Sequence, residues 1–169
     1  MSCAHRFFST LCSFSLLLAA CGDGGNPGSE PPSDGGVAGT TARLEGSVTR
    51  SAMPTAGGDG DVYIALFDRD PVLDAEGAVA VGSGFLEDAD LSADGAAVPY
   101  AIEDIPVRPE PYFVIAFMDD NDNVDPEDME NAGPDSGDLL SLRGLASVSV
   151  TLDAPGEHAL DIDLNSVLP

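Results

Sequence analysis

The stretch YFVIAFM, residues 112–118, decides the fold, because every one of its positions is apolar. Side chains of a strand point alternately to opposite faces, so a strand of this kind has both of its faces covered. The stretch DVYIALF, residues 61–67, has the same character after its first residue. Both stretches are rich in β-branched and aromatic residues and are too short for a typical helix. They predict two central strands.

Outward from these two stretches, short apolar runs alternate with Gly, Pro, Asp and Asn, which is typical of strands joined by turns. The runs SVSVTL and ALDIDLN alternate strictly, which predicts sheets that are wetted on one side. Pro99 has no N–H to donate, so its strand belongs at an edge. The fold class is therefore all-β, a single antiparallel β-sandwich of about seven strands. The candidate strands are 42–50, 61–68, 78–87, 96–105, 111–119, 146–153 and 158–165.

The first residues of the chain predict export from the cytoplasm. A weakly basic start is followed by an apolar stretch from Phe7 to Leu18, which is too short for an ordinary membrane-spanning helix. The next residues, up to Cys21, resemble the lipobox of bacterial lipoproteins: Leu18, Ala19, Ala20 and Cys21. That resemblance implies cleavage after residue 20, acylation of Cys21 with fatty acids such as palmitate, and a membrane anchor. Gly22, rather than Asp, follows the cysteine, which implies sorting to the outer membrane.

The chain then divides by composition. Residues 22–41 are mostly Gly, Pro, Ser, Asp and Thr, which cannot bury enough apolar surface to form a core. We expect a signal peptide at 1–20, the lipidated cysteine with a flexible linker at 21–41, and the β-sandwich domain at 42–169. Treated as a flexible coil, the linker reaches roughly 25 Å. It would hold the domain near a bilayer without fixing its orientation.

The charge and the reactive side chains exclude several functions. The chain has 30 Asp and Glu against six Lys and Arg, and its net charge of −24 would repel nucleic acid. After removal of the signal peptide, the expected chain keeps no free thiol, no lysine and one histidine, His158, in a predicted strand. We therefore expect no enzyme. A remote alternative is an aspartic-type hydrolase, because Asp135, Ser136 and Gly137 match the Asp-Ser-Gly motif of aspartic proteases; a single copy would require a homodimer.

An acidic stretch, DDNDNVDPEDME at residues 119–130, follows the apolar run. Oxygen-bearing side chains recur at positions 1, 3, 5, 7, 9 and 12, the spacing of an EF-hand calcium loop. Position 6, which needs Gly for its sharp turn, is Val124, and this argues against a standard EF-hand. A looser calcium site, helped by Asp135 or Asp138, and a solvated turn both remain open. The candidate metal ligands are Asp119, Asn121, Asn123, Asp125, Glu127 and Glu130.

The order of GSV (46–48), VYIALFD (62–68) and YAIEDIPVRPEPYFVIAFMDDNDN (100–123) resembles secreted transthyretin-like or carboxypeptidase-regulatory-like sandwiches. Pro106 and Tyr112 fit the loop of that family, while Pro109, Glu110 and Pro111 replace its usual Gly. The resemblance implies an accessory or adhesive module. Our interpretation is an outer-membrane lipoprotein, facing the periplasm or the cell surface, with a non-catalytic structural or binding domain and a protein or envelope partner of unknown identity. The alternative is a calcium-dependent interaction module that uses residues 119–130.

Overall fold

The computed structural model describes residues 40–124 and 133–169. Ten strands form there, and these described residues include no helix long and apolar enough to cross a membrane. The strands are β1 (Thr41–Arg50), β2 (Asp59–Phe67), β3 (Ala80–Asp90), β4 (Ala97–Pro106), β5 (Arg108–Met118), β6 (Leu139–Leu140), β7 (Val148–Leu152), β8 (Gly156–Ala159), β9 (Ile162–Leu164) and β10 (Ser166–Val167).

The strands form two sheets, which confirms the predicted all-β sandwich. One sheet has the order β4-β1-β8, with β9 also pairing β1; the other has the order β10-β6-β5-β2-β3, with β7 also pairing β5. The two apolar stretches lie in β2 and β5, and both strands are central as predicted. Pro99 lies in β4, which is an edge strand of its sheet.

The main core lies between the two sheets and takes one face of each of the long strands β1 to β5. On β2, Val62, Ile64 and Leu66 are at most 2% exposed and belong to this core. The opposite face of the same sheet carries a second, smaller cluster built on Tyr63, Phe117 and Leu140. Both faces of β2 and β5 are therefore covered, which explains why these two sequences lack the usual polar alternation.

The region predicted as one strand, 158–165, is divided into β8 and β9, and both pair with β1 in parallel. Between them, the N–H of Leu160 donates to the carbonyl oxygen of Glu45 at 2.9 Å, and the N–H of Ser47 donates to Asp161 Oδ1 at 3.0 Å. Gly46 permits this approach, because a Cβ there would overlap the carbonyl oxygen of Leu160. The two-residue strands β6 and β10 add to the count, which is ten rather than about seven.

Strand β1 defines the two ends of the sandwich. Thr41 pairs with Pro106 at one end, which we call the entry end. At the other end, the side chain of Arg50 bonds the carbonyl oxygens of Leu91 and Ser92. A strand of ten residues spans about 33 Å, so the two ends are separated by roughly that distance. The end of β5 and the first residues of the acidic stretch, 119–124, lie at the Arg50 end, hereafter the acidic end.

Candidate functional site

The acidic stretch begins with two buried carboxylates. Asp119 and Asp120 are 2% and 4% exposed. Asp120 Oδ2 accepts hydrogen bonds from the N–H groups of Thr55 and Ala56, both at 2.5 Å, and from Thr55 Oγ1 at 3.1 Å. Its Oδ1 accepts from the N–H of Gly58 at 2.6 Å. Asp120 therefore fastens the loop between β1 and β2 to the end of β5, and these bonds compensate its charge.

Asp119 organises the residues that follow it. Its Oδ1 accepts from the N–H of Asn123 at 3.2 Å and its Oδ2 from the N–H of Val124 at 2.8 Å. The chain adopts a positive φ of 55° at Asp122, a conformation that Asp tolerates better than most residues. Val124, which occupies position 6 of the EF-hand pattern, packs partly buried against the Tyr63 and Phe117 cluster. The sharp turn of the described residues 119–124 therefore lies at Asp122 rather than at Val124, the position at which the EF-hand pattern requires it.

Two amides join the acidic stretch to the turn at residues 135–138. Asn121 Nδ2 donates to Asp135 Oδ1 and to the carbonyl oxygen of Ser136, both at 3.2 Å. Asn123 Nδ2 donates to Asp135 Oδ2 at 2.8 Å. Of the predicted ligand set, Asn121 and Asn123 are thus brought beside Asp135, and Asp119 contacts the backbone of Asn123. Asp125, Glu127 and Glu130 lie outside the described residues.

Asp138 is the most enclosed carboxylate of the site. Its side chain is 0% exposed, and Oδ2 accepts from the N–H of Asp135 at 2.9 Å. Its Oδ1 has no hydrogen-bond partner in the described part of the chain. Burial raises the pKa of the Asp138 carboxyl and the charges of Asp119 and Asp135 raise it further, whereas the backbone N–H groups of Asp135 and Asp120 lower it. The Asp138 carboxyl is therefore shielded from water and lies near two other carboxylates, those of Asp119 and Asp135.

The carboxylates do not form a finished metal site. Within residues 40–124 and 133–169, no group of three or more His, Cys, Asp or Glu side chains is placed to hold a metal ion. The Asn amides instead present Nδ2 donors to Asp135 and compensate its charge. The cluster as described is a hydrogen-bonded network.

Sequence reasoning missed the structural role of Asp120, although β5 carried a signal for it. Ala116 and Met118 alternate into the core, and the same alternation carried two residues further places Asp120 on the core side. A carboxylate there needs partners from a neighbouring loop, and residues 55–58 supply them. No pattern in the sequence pointed to that loop, because its donors are backbone N–H groups.

A second concave surface lies on the outer face of the six-stranded sheet. A groove of about 410 Å³ is lined mainly by apolar side chains, including Tyr63, Phe85, Ile115 and Phe117. The rings of Tyr63 and Phe117 stack with centroids 4.8 Å apart, and the Phe85 ring lies 5.1 Å from that of Tyr63. Phe85 is 46% exposed. The groove offers an aromatic surface for an apolar side chain.

The residues considered for hydrolysis lie apart. His158 is in β8, paired with Leu44 of β1, and its Nε2 is 2.8 Å from the carbonyl oxygen of Ala154. Asp135 lies at the acidic end, where both of its carboxylate oxygens accept bonds from Asn amides. In an aspartic protease these oxygens would face a second carboxylate. In this protein they accept hydrogen bonds from the amides of Asn121 and Asn123 instead.

Comparison with known proteins identified no family for this chain. No protein-family model matches the chain, and no curated protein matches it. One solved structure is similar: the pilus-presented adhesin Spy0125 (Cpa), in a cysteine-to-alanine mutant form. The two share 17% sequence identity, over 79% of this chain and 29% of that chain, with a TM-score of 0.30. This chain thus spans less than a third of the adhesin, and a likeness at that TM-score carries no argument about function.

Proposed function

We propose that this protein is a lipid-anchored, non-catalytic domain of the outer membrane, with a structural or binding role. The observation that carries the proposal is Cys21, placed directly after Leu18, Ala19 and Ala20 at the end of an apolar stretch of signal-peptide length. A thioether and amide-linked acyl anchor at that cysteine holds the sandwich to the membrane through the Gly, Pro and Ser-rich residues that follow.

The geometry of the sandwich supports a role in display. The chain enters β1 at Thr41, and the acidic end lies about 33 Å away along that strand. With 30 Asp and Glu in the whole chain, the protein is repelled by anionic headgroups. An anchor at one end and repulsion along the body favour an orientation in which the acidic end faces away from the bilayer.

The side chains of the described surface support binding rather than chemistry. Asp120 and Asp135 are engaged by hydrogen bonds that hold loops in place. The aromatic groove beside Phe85 provides apolar contact area, which is what recognition of a partner requires. The partner is a protein or another component of the envelope, and its recognition at the groove would be dominated by apolar contacts.

The test of the anchor is acylation at Cys21. Cells that express the full chain are labelled with radioactive palmitate, and the protein is partitioned between detergent and water. We expect label and detergent partitioning in the wild type, and loss of both in Cys21→Ser. Cys12→Ser is the matched control, because it changes the same residue type inside the signal peptide and should keep both properties.

Fractionation of the envelope then tests the location. The labelled protein is expected in the outer-membrane fraction, in agreement with Gly22 after the cysteine. An unlabelled wild-type protein that remains in the aqueous phase would contradict the proposal.

A further inference from the structure

We propose that the free edge of β3, at residues 80–86, binds an extended, positively charged segment of a partner protein as an added strand. The segment would run antiparallel to β3 and would enlarge the six-stranded sheet by one strand. This inference deepens the proposed binding role and rests on it, because it names the class of partner and the place of contact. It does not depend on the lipid anchor.

The first observation is that β3 ends its sheet with one side unpaired. In the order β10-β6-β5-β2-β3, it pairs only with β2. Within residues 40–124 and 133–169, no backbone hydrogen bond reaches 80–86 from any other strand. An antiparallel strand directs about half of its N–H and carbonyl groups away from its neighbour, so these groups of β3 are available to a further strand.

The second observation is that this edge lacks the residues that normally protect one. Edge strands are commonly blocked by proline and by charged side chains, which discourage pairing with another chain. Strand β4, an edge of the other sheet, carries Pro99, Glu103 and Asp104, the last with a positive φ of 56°. Residues 80–86, with the sequence AVGSGFL, contain neither proline nor a charged side chain. An edge left unprotected over this length indicates that another chain pairs with it.

The surface beside this edge can receive side chains. A groove of about 580 Å³ is lined by residues of β1, β3 and β4, among them Gly84, Phe85, Leu86, Pro99 and Ala101. Phe85 also lines the aromatic groove of about 410 Å³ on the outer face of the sheet, so its half-exposed ring borders both grooves. Successive side chains of a strand point to opposite faces, so an added strand can place its side chains in both grooves.

Charge complementarity selects a cationic segment. Directly after 80–86, β3 carries three exposed acids, Glu87, Asp88 and Asp90. None of the ion pairs in the described part of the chain includes any of these three side chains. A second copy of this chain, with its own net charge of −24, would be repelled, whereas basic residues beside these acids would be attracted.

The direction of the segment follows from the sheet. Every strand pair of the six-stranded sheet is antiparallel, and antiparallel pairing is slightly the more stable arrangement. An antiparallel segment places its N-terminal residues opposite 87–90 and its later residues opposite 80–86. The partner is therefore expected to have basic residues first and an alternating apolar run after them.

The test is the binding of a synthetic peptide to the purified full chain, measured by the fluorescence anisotropy of a dye on the peptide. The probe begins with a pair of arginines and continues with alternating Val and Thr over about seven residues. We expect saturable binding of one peptide per chain. The affinity should fall at least about fivefold when sodium chloride is raised from about 0.05 M to about 0.5 M, because salt screens the attraction. A peptide of reversed sequence should bind at least about fivefold more weakly.

Ser83→Lys tests the edge itself, since a lysine on an edge strand discourages strand addition and repels a cationic peptide. We expect it to weaken binding at least about tenfold. The matched control is Ser149→Lys, which makes the same substitution at an exposed serine of β7 in the same sheet and should weaken binding less than about twofold. Phe85→Ala provides a second variant in case Ser83→Lys does not fold, and it should weaken binding about fivefold through loss of apolar contact. In the wild type, the peptide should slow amide hydrogen exchange at residues 80–86.

The proposal is overturned if the peptide does not bind the wild type at about 1 mM, a concentration that detects even weak association. It is also overturned if Ser83→Lys and Ser149→Lys bind the peptide equally well, because charge alone would then explain the binding. Dimerisation of the chain through β3, seen by sedimentation, would overturn it too, since a second copy would then cover the edge. Palmitate labelling at Cys21 does not involve β3, so failure of the peptide to bind is distinguishable from failure of the anchor.

Discussion

Asp120 and Asp138 are the same residue type, both buried, and only 18 positions apart, yet their surroundings differ. Asp120 receives three backbone N–H bonds and a hydroxyl bond from the loop at 55–58. Asp138 accepts from the N–H of Asp135 at 2.9 Å and lies near the charges of Asp119 and Asp135. At the scale of single residues, the supply of hydrogen-bond donors decides how well a buried carboxylate can fasten a loop.

Asp120→Ala should destabilise the domain by about 3 kcal/mol, because it leaves three backbone donors without their charged acceptor. The measurement is the midpoint of urea unfolding, followed by far-UV circular dichroism. Asp122→Asn removes an exposed negative charge from the same loop and keeps a residue that tolerates positive φ, so it should change the stability by less than about 0.5 kcal/mol. Equal midpoints for the two variants would show that Asp120 does not fasten the loop at 55–58.

The sequence predicts the polar character of this site better than its organisation. Asn121 and Asn123 both contact Asp135, and Asp119 contacts the backbone of Asn123. The partners of these residues come from 55–58 and 135–138, which no local pattern links to them. Contacts of that kind depend on which loops the strand order brings together. They therefore follow from the fold, and the spacing of residues along the chain does not predict them.

At the scale of the elements, β1 shows why the strands were predictable and the pairing was not. Period and composition indicated nearly all of the long strands, because burial of alternate side chains leaves a local signature. The two-residue strands β6 and β10 have no such signature. The parallel pairing of β8 and β9 with β1 depends on Gly46, at which the chain near Leu160 approaches the backbone of β1.

Gly46→Ala should therefore cost about 3 kcal/mol, since the added methyl group meets the rigid backbone at Leu160 rather than a side chain that can turn away. Urea unfolding gives the loss, and amide hydrogen exchange should show faster exchange at the N–H of Leu160, which bonds Glu45. Gly133→Ala is the matched control, because a Cβ there meets nothing within 4 Å. If both substitutions had the same small effect, β1 would not require the close approach.

At the scale of the whole molecule, charge is the dominant property. A net charge of −24 on 169 residues creates self-repulsion that opposes the compact state. The few arginines are used locally: Arg43 pairs with Glu45, Glu103 and Glu157 on the outer face of the four-stranded sheet. Such exposed pairs contribute little, so most of the acidic surface relies on solvent ions for compensation.

Stability should consequently rise with ionic strength. Raising sodium chloride from about 0.01 M to about 0.3 M shortens the screening length from roughly 30 Å to about 6 Å and weakens repulsion between acidic groups across the sandwich. We expect Tm to increase by several degrees and then level off, and potassium chloride should give the same curve, because screening depends on ionic strength and not on the identity of a monovalent cation. A flat or falling curve would mean that self-repulsion does not limit this fold.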